Sequence, residues 1–167
     1  LTSCKGVPKD TPKDTLLETK NTGDVREGLI ATRGGKVWYR IVGADKKGIP
    51  LIVIHGGPGA SHDYLEPLEA LADERPVVFY DQLDCGNSQK PKIKTWWTLR
   101  RNTIHVHQIK DALKLKKVHI LGHGWGTMVA VNYMMFEEKP MCNLPTDVVS
   151  LVLSSPRLSA TYFIRDQ

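Results

Sequence analysis

The stretch Lys117-Val-His-Ile-Leu-Gly-His-Gly-Trp-Gly-Thr-Met-Val-Ala130 constrains the fold more than any other part of the chain. A short apolar run leads into a turn with glycine at every second position (Gly122, Gly124, Gly126), and a second apolar stretch follows. The first run has strand length and the second has helical length. Alternating glycines let the backbone reverse tightly where side chains would collide. A strand that turns directly into a helix is the repeating unit of α/β proteins, whose parallel sheets carry helices on their faces.

Two more apolar runs end in loops rich in breakers. Leu51-Ile-Val-Ile54 leads into His55-Gly56-Gly57-Pro58-Gly59, and Pro76-Val-Val-Phe-Tyr80 leads into Asp81-Gln82-Leu83-Asp84-Cys85-Gly86-Asn87-Ser88. The pattern predicts alternating strands over 27–32 and 36–43 joined by a hairpin at Arg33-Gly34-Gly35. Central strands follow at 50–54, 76–80, 117–121 and 147–153, with helices at 63–73, 96–115 and 126–137. In the helix over 96–115, Leu99, Val106, Ile109 and Leu113 share one face. His105 and His107 flank Val106 and are expected in solvent. Gly126, Ala130 and Met134 are expected to seat the last helix closely on the sheet.

The glycine turn has a chemical reading. In G-x-S-x-G enzymes a strained strand-to-helix turn exposes a serine oxygen and aims the next backbone N–H at the developing oxyanion. Here the pattern is Gly122-His123-Gly124-Trp125-Gly126, with no reacting atom at the centre. The three strand–loop units, in this order, resemble the proline iminopeptidases of the α/β-hydrolase family, whose strings read HGGPG, then DQxGxGxS, then GxSxGG. The resemblance runs from about Glu27 to the end of the chain. It departs from the family at Gly124, where a serine is usual, and at Asp84, where a glycine is usual.

The resemblance implies an α/β-hydrolase-type, mostly parallel sheet with helices on both faces, truncated before the helical cap and the last strands. It implies that Gly124 marks the nucleophile position, that the N–H groups of Gly57 and Trp125 form the oxyanion hole, and that His55, Gly56, Pro58 and Gly59 belong to the substrate loop. Donors of that kind are usually the largest catalytic contribution in acyl transfer. The implied substrate is a peptide with N-terminal proline. The triad acid and histidine are expected beyond Gln167, so the chain as written is expected to be inactive. Two alternatives stay open: a non-catalytic relative that binds peptides or small molecules, and a dinucleotide-binding βαβ unit. The latter should read G-x-G-x-x-G with an acid closing the next strand, but position 127 is Thr and Asp147 precedes its strand.

Composition narrows the remaining classes. The chain has 167 residues, enough for one domain with a core. Its net charge of +5 is spread through lysine-rich turns (90–94, 110–117) with few aromatics between, which fits a solvated surface better than a nucleic-acid site. No apolar run is long enough to span a membrane. Cys4, Cys85 and Cys142 are an odd count without metal-ligand spacing, so neither a disulfide framework nor a metal or cofactor is expected. Cys85 lies near the glycine turns but has no base at fixed spacing. Residues 1–25 are polar and are expected to form a disordered leader or tether before a domain over 26–167. The location is expected to be cytoplasmic, the alternative being a lipid anchor through Cys4. Val148–Leu153 is expected at an open sheet edge, where a flat apolar strand invites aggregation or a covering partner.

Overall fold

Leu51–Ile54 and Val77–Tyr80 are buried at every position, as strands covered on both faces must be. They are the centre of a seven-stranded sheet in the computed structural model, which describes residues 16–32, 34–91, 98–136 and 147–156. The strands are β1 (Leu16–Thr22), β2 (Val25–Thr32), β3 (Gly35–Val42), β4 (Leu51–Ile54), β5 (Val77–Tyr80), β6 (Val118–His123) and β7 (Val148–Ser154), in the order β1-β2-β3-β5-β4-β6-β7. Among the described residues two α-helices, α1 (Leu99–Ala112) and α2 (Trp125–Phe136), precede and follow β6. The segment Asp63–Asp73, expected as a helix, is a 3-10 helix with Pro67 inside it.

The sheet is mixed. β4, β5, β6 and β7 pair in parallel, whereas β1, β2, β3 and β5 pair antiparallel. The parallel half therefore carries the strand–turn–helix units, and the antiparallel half is a meander added to β5. Two apolar layers cover the sheet. Ile52, Ile54, Val78, Tyr80 and Ile120 pack with Val106 and Ile109 of α1 and with Val129, Ala130 and Tyr133 of α2. Leu51, Val53, Val77 and Phe79 point the other way, onto Leu65 and Ala72 of the 3-10 helix. Helices on both faces are thus observed, with both α-helices on the same side.

The structure corrects two expectations. The leader expected over 1–25 includes a strand: β1 pairs with β2 through a tight turn in which Gly23 has φ +69° and Thr22 faces Val25. Residues 19–22 are exposed and polar, so backbone pairing rather than burial holds β1 there. Cys4 and the rest of residues 1–15 lie outside the described residues, as does Arg33 of the β2–β3 turn. The second correction concerns α1. Leu99, Val106, Ile109 and Leu113 do face the core, but His105 is only 1% exposed. His107 is half-buried, its ring 4.4 Å from that of Tyr133. The α1–α2 contact covers the His107 side of the helix, which one-sided periodicity assigns to solvent. Asp147, just before β7, forms an ion pair with Lys110 of α1.

β7 ends the sheet among the described residues, and Val149 and Val152 are 49% and 46% exposed. No helix of the described residues is long and apolar enough to cross a membrane.

Candidate active site

The carboxyl ends of β4, β5 and β6 lie side by side, so their three loops meet. Tight packing forces the turn after β6. A methyl group on Gly122 would lie 2.5 Å from Gly126 O, and one on Gly126 would run into the carbonyl oxygen of Ile54, with His55 O 2.8 Å away. These two glycines let α2 begin directly against the end of β4. Gly124 differs. Its φ is +54°, and apart from its chain neighbours the nearest heavy atom to a methyl group there is Gly56 Cα at 3.8 Å. The position has room for a side chain and a backbone conformation that L-residues adopt only under strain.

Polar ties bind the loops together. Gln82 N–H donates to His55 Nε2 at 2.9 Å, and His55 Nδ1–H donates to Gly56 O at 2.7 Å. The Gln82 side chain donates to His55 O at 2.9 Å and accepts from Trp125 Nε1–H at 3.1 Å. His55 is 1% exposed. Burial holds its pKa below the ordinary value, against the raising effect of its bond to Gly56. It is a neutral imidazole with both nitrogens occupied, a brace rather than a base.

On the outer side, Gly56 N–H donates to Tyr64 Oη at 2.6 Å, leaving the Tyr64 O–H to donate to His123 Nδ1 at 3.0 Å. Gly56 packs on His123 so closely that a methyl group there would sit 3.1 Å from His123 O. The Gly57–Pro58 peptide is cis, Gly57 has φ +130°, and Gly59 has φ +98°. Gly124 N–H donates to Ser154 O at 3.1 Å, and Thr127 Oγ1–H donates to Gly124 O at 2.6 Å. Among the described residues the N–H groups of Gly57 and Trp125 have no acceptor. The structure thus brings Gly56 against His123 and Gly124, and ties His55 to Trp125 through Gln82.

The loop after β5 is organised by Asp81, which is wholly buried. Its Oδ1 accepts from His62 N–H and Nδ1–H, both at 2.9 Å, and its Oδ2 accepts from Asn87 N–H at 2.8 Å. Ser88 Oγ–H donates to Asp81 O at 2.5 Å and accepts from Trp38 N–H at 2.8 Å. A methyl group on Gly86 would run into the Asp81 carboxylate. Asp84, one of the two departures from the family strings, has φ +68°. A glycine suits that conformation, and aspartate tolerates it better than most residues. Cys85 is 7% exposed and burial pushes its thiol pKa up, so it is not held as a thiolate nucleophile. Tyr64 and Gln82 were not marked by sequence reasoning as site residues. Only the Gln82 position in the Asp-Gln string hinted at a role.

A sheet with this crossover order, ending in a glycine elbow beside a second glycine loop, defines an α/β-hydrolase scaffold. Residues 49–166 match the family model described as the alpha/beta hydrolase fold, and the chain belongs to that family. Within it, the resemblance to proline iminopeptidases is borne out. The chain is 45% identical over 141 residues to the proline iminopeptidase of Heyndrickxia coagulans, covering 84% of this chain and 46% of that protein. It is 38% identical over 152 residues to that of Lactobacillus acidophilus, covering 86% of this chain and 48% of the relative. The crystal structure of the Mycobacterium smegmatis proline iminopeptidase superposes with a TM-score of 0.66 at 30% identity, over 75% of this chain and 42% of that one. The chain spans about half the length of the curated relatives it matches.

Proposed function

We propose that this chain carries the oxyanion-binding part of a proline iminopeptidase-type site and, with glycine at 124, does not itself cleave peptides. In this reading the amides of Gly57 and Trp125 are the donors to a carbonyl oxygen, and a peptide with N-terminal proline is the substrate class of the whole scaffold. One observation carries it: the Gly56 backbone lies 3.8 Å from where a side chain at 124 would start, with the flanking loops tied through His55, Gln82 and Trp125. An attacking atom at 124 would therefore sit beside the oxyanion loop. Gly124 offers only a hydrogen there, and loss of the serine from such a triad costs roughly 10⁶-fold in kcat.

The test is release of a chromogenic amine from a proline anilide, with the unmodified chain and with Gly124→Ser. No release above buffer is expected from the unmodified chain, and turnover by it would overturn the proposal. Recovery with Gly124→Ser alone would mean that a base lies within these 167 residues. A second reading, a non-catalytic peptide binder, is favoured by ties that hold both loops without any contribution from a side chain at 124. Retention of a proline-led peptide by the unmodified chain, with release by free proline, would support it.

A further inference from the structure

We propose that His62, Asp63 and Glu66 form a divalent transition-metal site, with zinc as the natural probe. It uses none of the elbow residues and does not depend on the peptidase reading. The spacing of cysteines and histidines in the chain gives no hint of it, because only one histidine is involved.

The argument starts from His62, which is 5% exposed. Its Nδ1–H is committed to Asp81, a fully buried carboxylate whose oxygens accept from N–H donors on either side. A carboxylate that binds one ring nitrogen fixes the tautomer and presents the other nitrogen as a lone pair, the usual support behind a metal-bound histidine. The Trp38 ring lies over the imidazole at 4.4 Å and holds its plane. His62 Nε2 has no hydrogen bond among the described residues and faces Asp63 Oδ1 at 3.5 Å. Ser61 Oγ–H donates to Asp63 Oδ2 at 2.5 Å, which turns Oδ1 toward the ring.

A ring nitrogen facing an anionic oxygen is held there by a cation between them, either a proton on Nε2 or a metal ion bound by both groups. The distance suits a metal ion. Two ligands bound at about 2.1 Å in a tetrahedral site stand roughly 3.4 Å apart. The ligand atoms of His62, Asp63 and Glu66 all lie within 4.8 Å of one another. The three residues line a cavity of about 510 Å³ between the β1–β3 meander and the 3-10 helix, which leaves open positions for water.

Charge points the same way. Asp63 and Asp81 flank His62 and Glu66 lies within reach of it, while the cations lining the cavity are Arg40, 2.7 Å from Glu69 Oε1 and 3.7 Å from Glu66 Oε1, and Lys20, 3.9 Å from Glu27 Oε1. Arg40 is spent chiefly on Glu69, so the group retains an excess of negative charge beside the imidazole. One imidazole with carboxylates suits zinc and its neighbours better than calcium, which prefers an all-oxygen shell.

Calorimetric titration of the full chain with zinc chloride tests the site. One saturable site is expected, weakened at least about tenfold by Asp63→Asn or Glu66→Gln and abolished by both. His119→Gln, on a histidine bonded to Ser150 elsewhere on the sheet, should leave it unchanged. Cobalt should give the visible absorption of a low-coordinate ion in the unmodified chain and not in the double variant. The two acids are exposed, so these variants keep the fold, and a circular dichroism melt checks that they do. Zinc uptake equal in the unmodified chain and the double variant would overturn the proposal. So would a ring nitrogen spectrum in which His62 Nε2 stays protonated under saturating zinc at pH 8.

Discussion

Gly124 holds a left-handed backbone with room beside it, and these two facts make a quantitative forecast. At φ +54° an L-residue pays roughly 1–2 kcal/mol for the approach of its Cβ to the following carbonyl. Part of this is offset because replacing glycine stiffens the unfolded chain, worth about 0.4–1 kcal/mol. No steric penalty is added, since the Gly56 Cα at 3.8 Å is at ordinary contact distance. Gly124→Ala and Gly124→Ser should therefore each lose only about 0.5–1.5 kcal/mol. Gly124→Asn should lose less, because asparagine visits this region more readily, and Gly124→Val should lose most. Urea unfolding resolves the series. With a slope of about 2 kcal/mol per molar, a loss of 1 kcal/mol moves the midpoint by about 0.5 M. An alanine variant as stable as the parent, or a valine variant more stable than the asparagine one, would refute the reasoning.

Other perturbations probe the surrounding frame. Gly126→Ala meets the Ile54 carbonyl oxygen and His55 O, so α2 must lift off β4. A loss of about 3 kcal/mol is expected in thermal melts despite alanine's better helix propensity, and a neutral result would show that the helix start is loosely seated. Asp81→Asn keeps the shape but turns an amide N–H toward N–H donors on one side, costing about 1–3 kcal/mol by the same measurement. Equal stability would mean that the buried carboxylate is not needed as an acceptor on both sides. His105 and His107 have pKa values lowered to about 4, chiefly by burial. Their folded-state values lie below the unfolded value near 6.5, so the stability from neutral rings is fully present above pH 6.5 and lost as pH falls toward 4. His105 also has both ring nitrogens without a hydrogen-bond partner among the described residues. His105→Leu should flatten the acid limb of a stability–pH curve, which for this one ring is on the order of 3 kcal/mol deep. An unchanged acid limb would count against the assignment.

The parallel half of the fold was readable because each unit carries its own signal. Leu51–Ile54 and Val77–Tyr80 are continuous apolar runs closed by breakers, and they became β4 and β5. The antiparallel edge was half readable. β2 and β3 alternate around Gly34-Gly35, but β1 is polar on its exposed residues and held by backbone pairing, which leaves no hydrophobic period to detect. His105 misled for a different reason. Periodicity assigns one buried face to a helix, whereas α1 is buried beyond that face, with His105 at 1% exposure on one flank and His107 against Tyr133 of α2 on the other. At the site, the glycines were legible as positions that need close approach. The Tyr64 hydroxyl was not, because a tyrosine on a 3-10 helix carries no mark of the loop amide and imidazole that it bridges.

The same ties bear on what retention of the site means. His55 is saturated by Gln82 and Gly56, Gln82 also holds Trp125, and Asp81 closes the loop after β5 around Gly86 and Asn87. None of these bonds involves a side chain at 124. The glycines at 122 and 126 are fixed by backbone carbonyls and by the seating of α2, not by a bound ligand. Nearly every motif residue of the three loops thus has a structural reason to stay when catalysis is absent. The surviving HGGPG and DQ strings therefore testify to the fold, and only the atom at position 124 and its proton acceptor testify to activity. Family motifs kept apart from positions 84 and 124 are what this packing would preserve. That is why the proline anilide assay, rather than the motif match, decides whether the chain cleaves peptides.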